Sequence, residues 1–144
     1  MFRHMFQAMR YHRFHFRDAD VLPAGQVLEM ATIDGARALG MEDEIGSLEA
    51  GKKADIILID MAQPHLYPAN MPLYRVAYFA NGNDVETVIV NGDVLMLERQ
   101  VNTVNVADVL ELAQTEIEAA LERTGLQDLV ATPDGFWGEA SPRR

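Results

Sequence analysis

Cysteine is absent from this 144-residue chain, so it can build no disulfide framework, thiolate metal site or cysteine nucleophile. Serine is nearly absent. Ser47 and Ser141 are the only two, and neither stands in a Gly-x-Ser-x-Gly elbow, which removes the common hydrolase nucleophile. Long apolar runs are also missing: the longest, Val76 to Ala80, falls far short of the roughly 20 residues that cross a bilayer, so no membrane partner is expected. The N-terminus interleaves Arg and His with Met and Phe and lacks the continuous apolar stretch of a secretory signal. Basic residues are few, 12 against 22 acidic ones, for a net charge of −10. Arg3, Arg10, Arg13 and Arg17 outweigh Asp18 and Asp20 in the first twenty residues, so the rest of the chain is more acidic still. Such a body repels phosphate backbones and argues against a nucleic-acid partner.

What is present belongs to an ordinary globular chain: 49% hydrophobic, 24% charged and 8% aromatic residues exclude whole-chain disorder. The length suits one domain and is too short for a complete (β/α)8 barrel of about 250 residues. Met1, Met5, Met9 and His12 recur at helical spacing, predicting an amphipathic helix to Asp18. Pro23 suits the first position of a second helix, with Val27, Leu28, Met30 and Ala31 on its apolar face and an end near Thr32. Asp34 is the candidate N-cap of a third short helix that stops at Gly40.

Beyond Gly40 the period changes. A glycine-punctuated loop, 45–53, leads to Ala54–Asp60, a continuous apolar strand bounded by carboxylates and patterned for cover on both faces. Pro64, Pro68 and Pro72 make 61–72 an extended loop, and a short helix is expected from Leu73 to Ala80. Val85–Val90 and Val94–Leu97 flank Asn91-Gly92-Asp93, the pattern of a type I′ hairpin. The helical period returns after Asn105 through Val109, Leu112, Ala113, Glu116, Ile117, Ala120 and Leu121, with Gly125 as C-cap. The reading is an α+β chain of four parts: a helical segment at 1–44, strands with the hairpin at 45–104, a C-terminal helix at 105–125 and an extended tail at 126–144 holding Phe136 and Trp137.

Few residues offer chemistry. His12 and His15 are spaced to share a helix face, but a zinc site needs a third ligand, and the nearest histidine, His4, is two turns away. We read them as surface histidines, with a metal site as the sharper alternative. His65, between Pro64 and Leu66, is solitary in sequence and reads as a hydrogen-bonded loop residue rather than a catalytic one. Gly46 to Gly51 lacks the spacing of a nucleotide-binding loop and precedes a strand where those motifs follow one. Asp55 and Asp60 are placed to end a strand rather than to share a proton. No catalytic, cofactor-binding or metal residue is assigned to this chain.

Three motifs together carry a resemblance: Met-Ala-Thr-Ile-Asp-Gly-Ala-Arg-Ala-Leu-Gly at 30–40, Ile-Gly-Ser-Leu-Glu-Ala-Gly-Lys-Lys-Ala-Asp-Ile-Ile-Leu-Ile-Asp at 45–60, and Val-Ile-Val-Asn-Gly at 88–92. In this order they resemble the C-terminal signature of the amidohydrolase superfamily, in its cytosine-deaminase-like and chlorohydrolase branch. Pro-His-Leu at 64–66 and Val-Ala-Tyr-Phe-Ala-Asn-Gly at 76–82 are similar to the same branch. The resemblance implies the last helices of a metal-dependent (β/α)8 barrel, the C-terminal strands of its small composite β-sandwich, and a C-terminal helix. It further implies a truncated, cytoplasmic hydrolase of non-peptide carbon–nitrogen bonds, an aminohydrolase of a nucleoside, nucleobase or triazine-like ring.

In such a family zinc or iron is expected in the full-length enzyme and none in this chain, because the ligand-bearing strands have no counterpart here. The expected partners are the missing N-terminal barrel portion or a second copy, since the sheet would otherwise expose an edge beside Ile56, Ile57, Leu58 and Ile59. The 106–124 helix is expected to cover part of the sheet or barrel wall. The alternative is a noncatalytic interaction module that pairs through its sheet with another chain.

Overall fold

The structure, a computed structural model, describes residues 1–132. It divides into two units, Met1–Thr103 and a second starting at Val104, each described here by itself.

The first unit opens with three helices, α1 (Phe2–Phe16), α2 (Ala24–Ala31) and α3 (Ile33–Leu39). The period-four methionines do as their spacing dictates: Met5 and Met9 are the buried residues of α1. They pack with Leu22, Ala24, Val27 and, from α4 (Pro72–Phe79), Ala77. This small cluster is the core of the helical layer. Pro23, expected as the first helical residue, instead takes the N-cap position of α2 with extended backbone, and the helix begins one residue later, at Ala24. Asp34 is not the N-cap of α3. Thr32 holds that place, and Asp34 lies in the first turn, paired with Arg37 at 2.6 Å, because the helix begins as soon as the chain turns at Thr32. Gly40 ends α3 in the left-handed conformation, φ 68°.

The sheet has four antiparallel strands in the order β1 (Ile56–Ile59), β2 (Val85–Val90), β3 (Asp93–Leu97) and β4 (Gln100–Val101). The hairpin forms as its sequence requires, with Asn91 at φ 51° and Gly92 at φ 90° between β2 and β3. Strand β4 is absent from the sequence reading. Its turn consists of Glu98 and Arg99, both at positive φ, residue types that give no turn signal. The two-faced cover expected for β1 is not supplied within this unit: Ile57 is 48% exposed and Leu58 50%, and β1 stands at the sheet's edge.

In the second unit α5 spans Val106–Thr124, capped by the Asn105 side chain on the Ala107 N–H and ended by Gly125 at φ 67°. The expected extended tail is corrected at its start. Gln127–Val130 forms a 3-10 turn after the reversal at Gly125 returns the Leu126 N–H to the Leu121 carbonyl. The remainder of that tail, with Phe136 and Trp137, lies outside the described residues.

Candidate functional site

His65 is not solitary in space. Its loop is pinned by the fully buried Leu66, which brings the imidazole to the turn before β2. There Asn81 and Asp84 form a reciprocal capping box around a 3-10 turn. His65 Nε2 lies 2.9 Å from Asp84 Oδ2, and the same oxygen accepts from the Asn81 backbone N–H at 2.7 Å and from Asn81 Nδ2 at 3.0 Å. The Asp84 side chain is only 4% exposed, whereas that of His65 is 42% exposed. A carboxylate oxygen accepts, so in this contact His65 Nε2 is the donor to Asp84 Oδ2. The residues just described supply no nucleophile beside that imidazole, and the arrangement reads as a lock between loop and turn. Asn-x-x-Asp at 81–84 is the signal that could have found it.

The strand-ending carboxylates also find structural work. Asp55 accepts the Asn91 N–H at 2.7 Å, fixing the hairpin turn to β1. Asp60 accepts from Arg99 at 2.8 Å, from the Ala62 N–H at 2.9 Å and from Gln63 at 2.5 Å. The Arg99 hydrogen bond, with the Ala62 and Gln63 donors after it, holds the Asp60 carboxyl below the usual aspartate range. Arg99 also donates to the Asn83 carbonyl at 3.0 Å, which explains how an Arg occupies a left-handed turn position.

Arg13, read only as part of a basic N-terminus, clamps the helical layer. Its guanidinium donates to the Val21 and Leu22 carbonyls at 3.0 and 3.3 Å and to the Tyr78 hydroxyl, and lies 5.4 Å from that ring's centre. Leu22 is buried at φ 56°, so the clamp secures a strained turn.

The histidines of α1 do not converge on a metal. His12 Nδ1 faces the Ala8 carbonyl at 2.9 Å, and the His12 and His15 rings both pack against Phe16. Among the described residues no group of three or more His, Asp or Glu side chains is placed to hold an ion, so these residues do not fit a catalytic metal.

One further feature of this unit is apolar. A cleft of about 600 Å³ opens between α1, α2, α4 and β1, lined by Phe2, Met5, Leu28, Ile57, Leu73 and Val76 among others, with Lys53 and Asp55 supplying polar atoms. It lies on the side chains that the expected two-faced cover of β1 would bury.

Residues 1–95 match the amidohydrolase family model. A 5-methylthioadenosine/S-adenosylhomocysteine deaminase from Moorella thermoacetica is 56% identical over 92 residues, which cover 64% of this chain and 22% of that protein. An adenosine deaminase from Xanthomonas campestris, solved with bound zinc, superposes with a TM-score of 0.79 at 30% identity, covering 83% of this chain and 27% of that one. An atrazine chlorohydrolase from Arthrobacter aurescens, solved with zinc, gives a TM-score of 0.59 at 26% identity, over 65% of this chain and 20% of that one. The chain thus spans about a fifth to a quarter of the length of these relatives.

Proposed function

This chain belongs to the amidohydrolase family, and on that premise we propose that it is the C-terminal part of a metal-dependent aminohydrolase whose catalytic barrel is formed by residues outside it. The observation that carries this reading is a mismatch of content. Over 83% of its length the chain superposes with a TM-score of 0.79 on a deaminase solved with bound zinc, yet the described residues offer no ligand set for a metal. The substrate class proposed is the exocyclic amine of a nucleoside-like or triazine-like ring: water supplies the new carbonyl oxygen and ammonia leaves. Bound metal would activate that water. The residues of this chain contribute scaffold: Arg13 fixes α1 to α4, while Asp84 and Asp60 fix the loop after β1 to the sheet.

The test joins this chain to the N-terminal remainder of the Moorella thermoacetica relative and measures ammonia released from 5-methylthioadenosine, S-adenosylhomocysteine, adenosine and an aminotriazine. The relative's intact chain is the positive control. Release from at least one of the four is expected from the joined protein and from none with the chain alone. A folded, metal-loaded hybrid that releases ammonia from none would overturn the proposal.

The second reading, a noncatalytic module pairing through its sheet, draws on β1, which among the described residues stands at the edge of the sheet. It predicts binding without turnover in the same experiment.

A further inference from the structure

We propose that two copies of this chain associate by exchanging helix contacts, the basic and aromatic outer face of α1 in each copy docking against the acidic, apolar-striped α5 of the other. Such pairing is independent of the functional reading. It uses Val106–Thr124, a helix that begins past residue 95, where the match to the family model ends.

Charge sorts the two helices. α1 holds Arg3, Arg10 and Arg13 and no carboxylate, and Arg17 follows it as C-cap. α5 holds Asp108, Glu111, Glu116, Glu118 and Glu122 against Arg123 alone, a balance of −4. Among the described residues neither Arg3 nor Arg10 joins an ion pair, and neither do these five carboxylates. Opposite charges left without complements on two surfaces steer those surfaces together and fix their register.

Shape agrees with charge. Met5 and Met9 turn into the core, so the helical period puts Arg3, Gln7, Arg10, Tyr11 and Phe14 on the opposite side of α1. There Tyr11 is 65% exposed and Phe14 84%. On α5 the same period gathers Val106, Val109, Leu110, Ala113, Ile117 and Leu121 into a stripe with Glu116 and Glu118 on its two sides, and no residue of this helix is buried. An amphipathic helix with its apolar stripe in solvent is an interaction surface. At about 1.5 Å per residue, the 15 residues of α1 and the 19 of α5 are similar enough in length to lie along each other throughout.

The occupant follows from these charges. Pairing α5 with α5 would set two acidic helices side by side, whereas α1 offers aromatic anchors ringed by arginine. Because the contact joins two different surfaces, a twofold dimer makes it twice and closes the assembly.

Sedimentation equilibrium of the full chain in the micromolar range provides the test. A dimer is expected that weakens as salt is raised. Arg3→Glu with Arg10→Glu should weaken it by about tenfold or more, and so should Glu116→Arg with Glu118→Arg. All four positions are exposed. The second pair adds two charge units per substitution and takes the chain from −10 to −6, so general repulsion between copies would predict the opposite sign for it. Mixed in equal amounts, the two double variants should form a heterodimer as tight as the parent dimer, since reversed α1 then meets reversed α5 and the unaltered helices meet each other. Tyr11→Ser with Phe14→Ser should weaken the parent by about tenfold. Circular dichroism must show each variant as folded as the parent; should the Arg3 and Arg10 variant fail, the aromatic pair and the α5 pair decide. A monomer throughout the range would overturn the proposal, as would a dimer indifferent to the α1 or the α5 substitutions, or a mixture of folded double variants that stays monomeric.

Discussion

His65 holds the nearly buried carboxylate of Asp84 at 2.9 Å while nearly half of its own side chain stays in solvent. The pair is lopsided, and so are the expected consequences. Asp84→Ala strands three donors, the Asn81 N–H, Asn81 Nδ2 and His65 Nε2, and should cost about 3 kcal/mol by urea unfolding. His65→Ala removes one donor from an acceptor that keeps two, and should cost about 1 kcal/mol. A larger loss for His65→Ala than for Asp84→Ala would contradict this account of the lock.

Asp60 predicts an acid limb. Its folded-state pKa lies below its ordinary value, chiefly through Arg99, so its ionised form is favoured by folding. That contribution is fully present at neutral pH and is lost as pH falls from about 4 through the depressed folded value. Asp60→Asn should therefore flatten the acid limb of the stability curve while leaving its shape above pH 6 unchanged. Arg99→Ala should flatten it too, since it removes the leading cause. A parallel offset of the whole curve would show that the titration of Asp60 is not involved.

Gly46 and Gly51 separate strain from crowding. Both have positive φ, 90° and 96°, but a Cβ at 46 would lie 2.7 Å from the Ala36 Cβ and 3.0 Å from the Ile33 Cα, whereas one at 51 meets nothing within 4 Å. Gly51→Ala should cost about 1 kcal/mol of left-handed backbone penalty. Gly46→Ala adds the clash and should cost at least about 2 kcal/mol more. Equal melting temperatures for the two variants would mean that the 41–53 loop moves away freely from α3.

At the hairpin tip Gly92 has φ 90° and open space around it. Gly92→Val should cost about 2 kcal/mol through backbone strain alone. Gly92→Asn should cost less, since Asn tolerates positive φ. Thermal unfolding of the pair checks the order.

Elemental analysis checks the reading of the histidines. The purified chain is expected to hold far less than one zinc or iron per molecule; a stoichiometric ion lost in His12→Ala or His15→Ala would establish the site that the sequence reading set aside.

Local structure was legible wherever a residue's own conformational preference decides it. Asn91-Gly92 brings two positive φ angles to a turn by itself, Gly40 and Gly125 stop helices, Asn105 starts one, and the methionine period selects the buried face of α1. The three motifs were enough to place the chain in its family, because they lie within the segment that the family model matches. Contacts across long separations were hidden. Asp84 meets His65 nineteen residues away, Arg99 meets Asp60 thirty-nine away, and Arg13 meets Tyr78 sixty-five away. No spacing rule encodes these pairs, since each depends on where two separately folded segments are brought together. Strand β4 was missed for the same reason: Glu98 and Arg99 have no intrinsic liking for positive φ and are held there by a guanidinium bonded to residues far back in the chain. The sequence by itself determined periods, caps, the hairpin and the family. Only the tertiary structure decided that the apolar strand reads as doubly covered yet stands half bare at a sheet edge, because hydrophobic pattern records that a side chain is to be buried and not which part of a fold buries it.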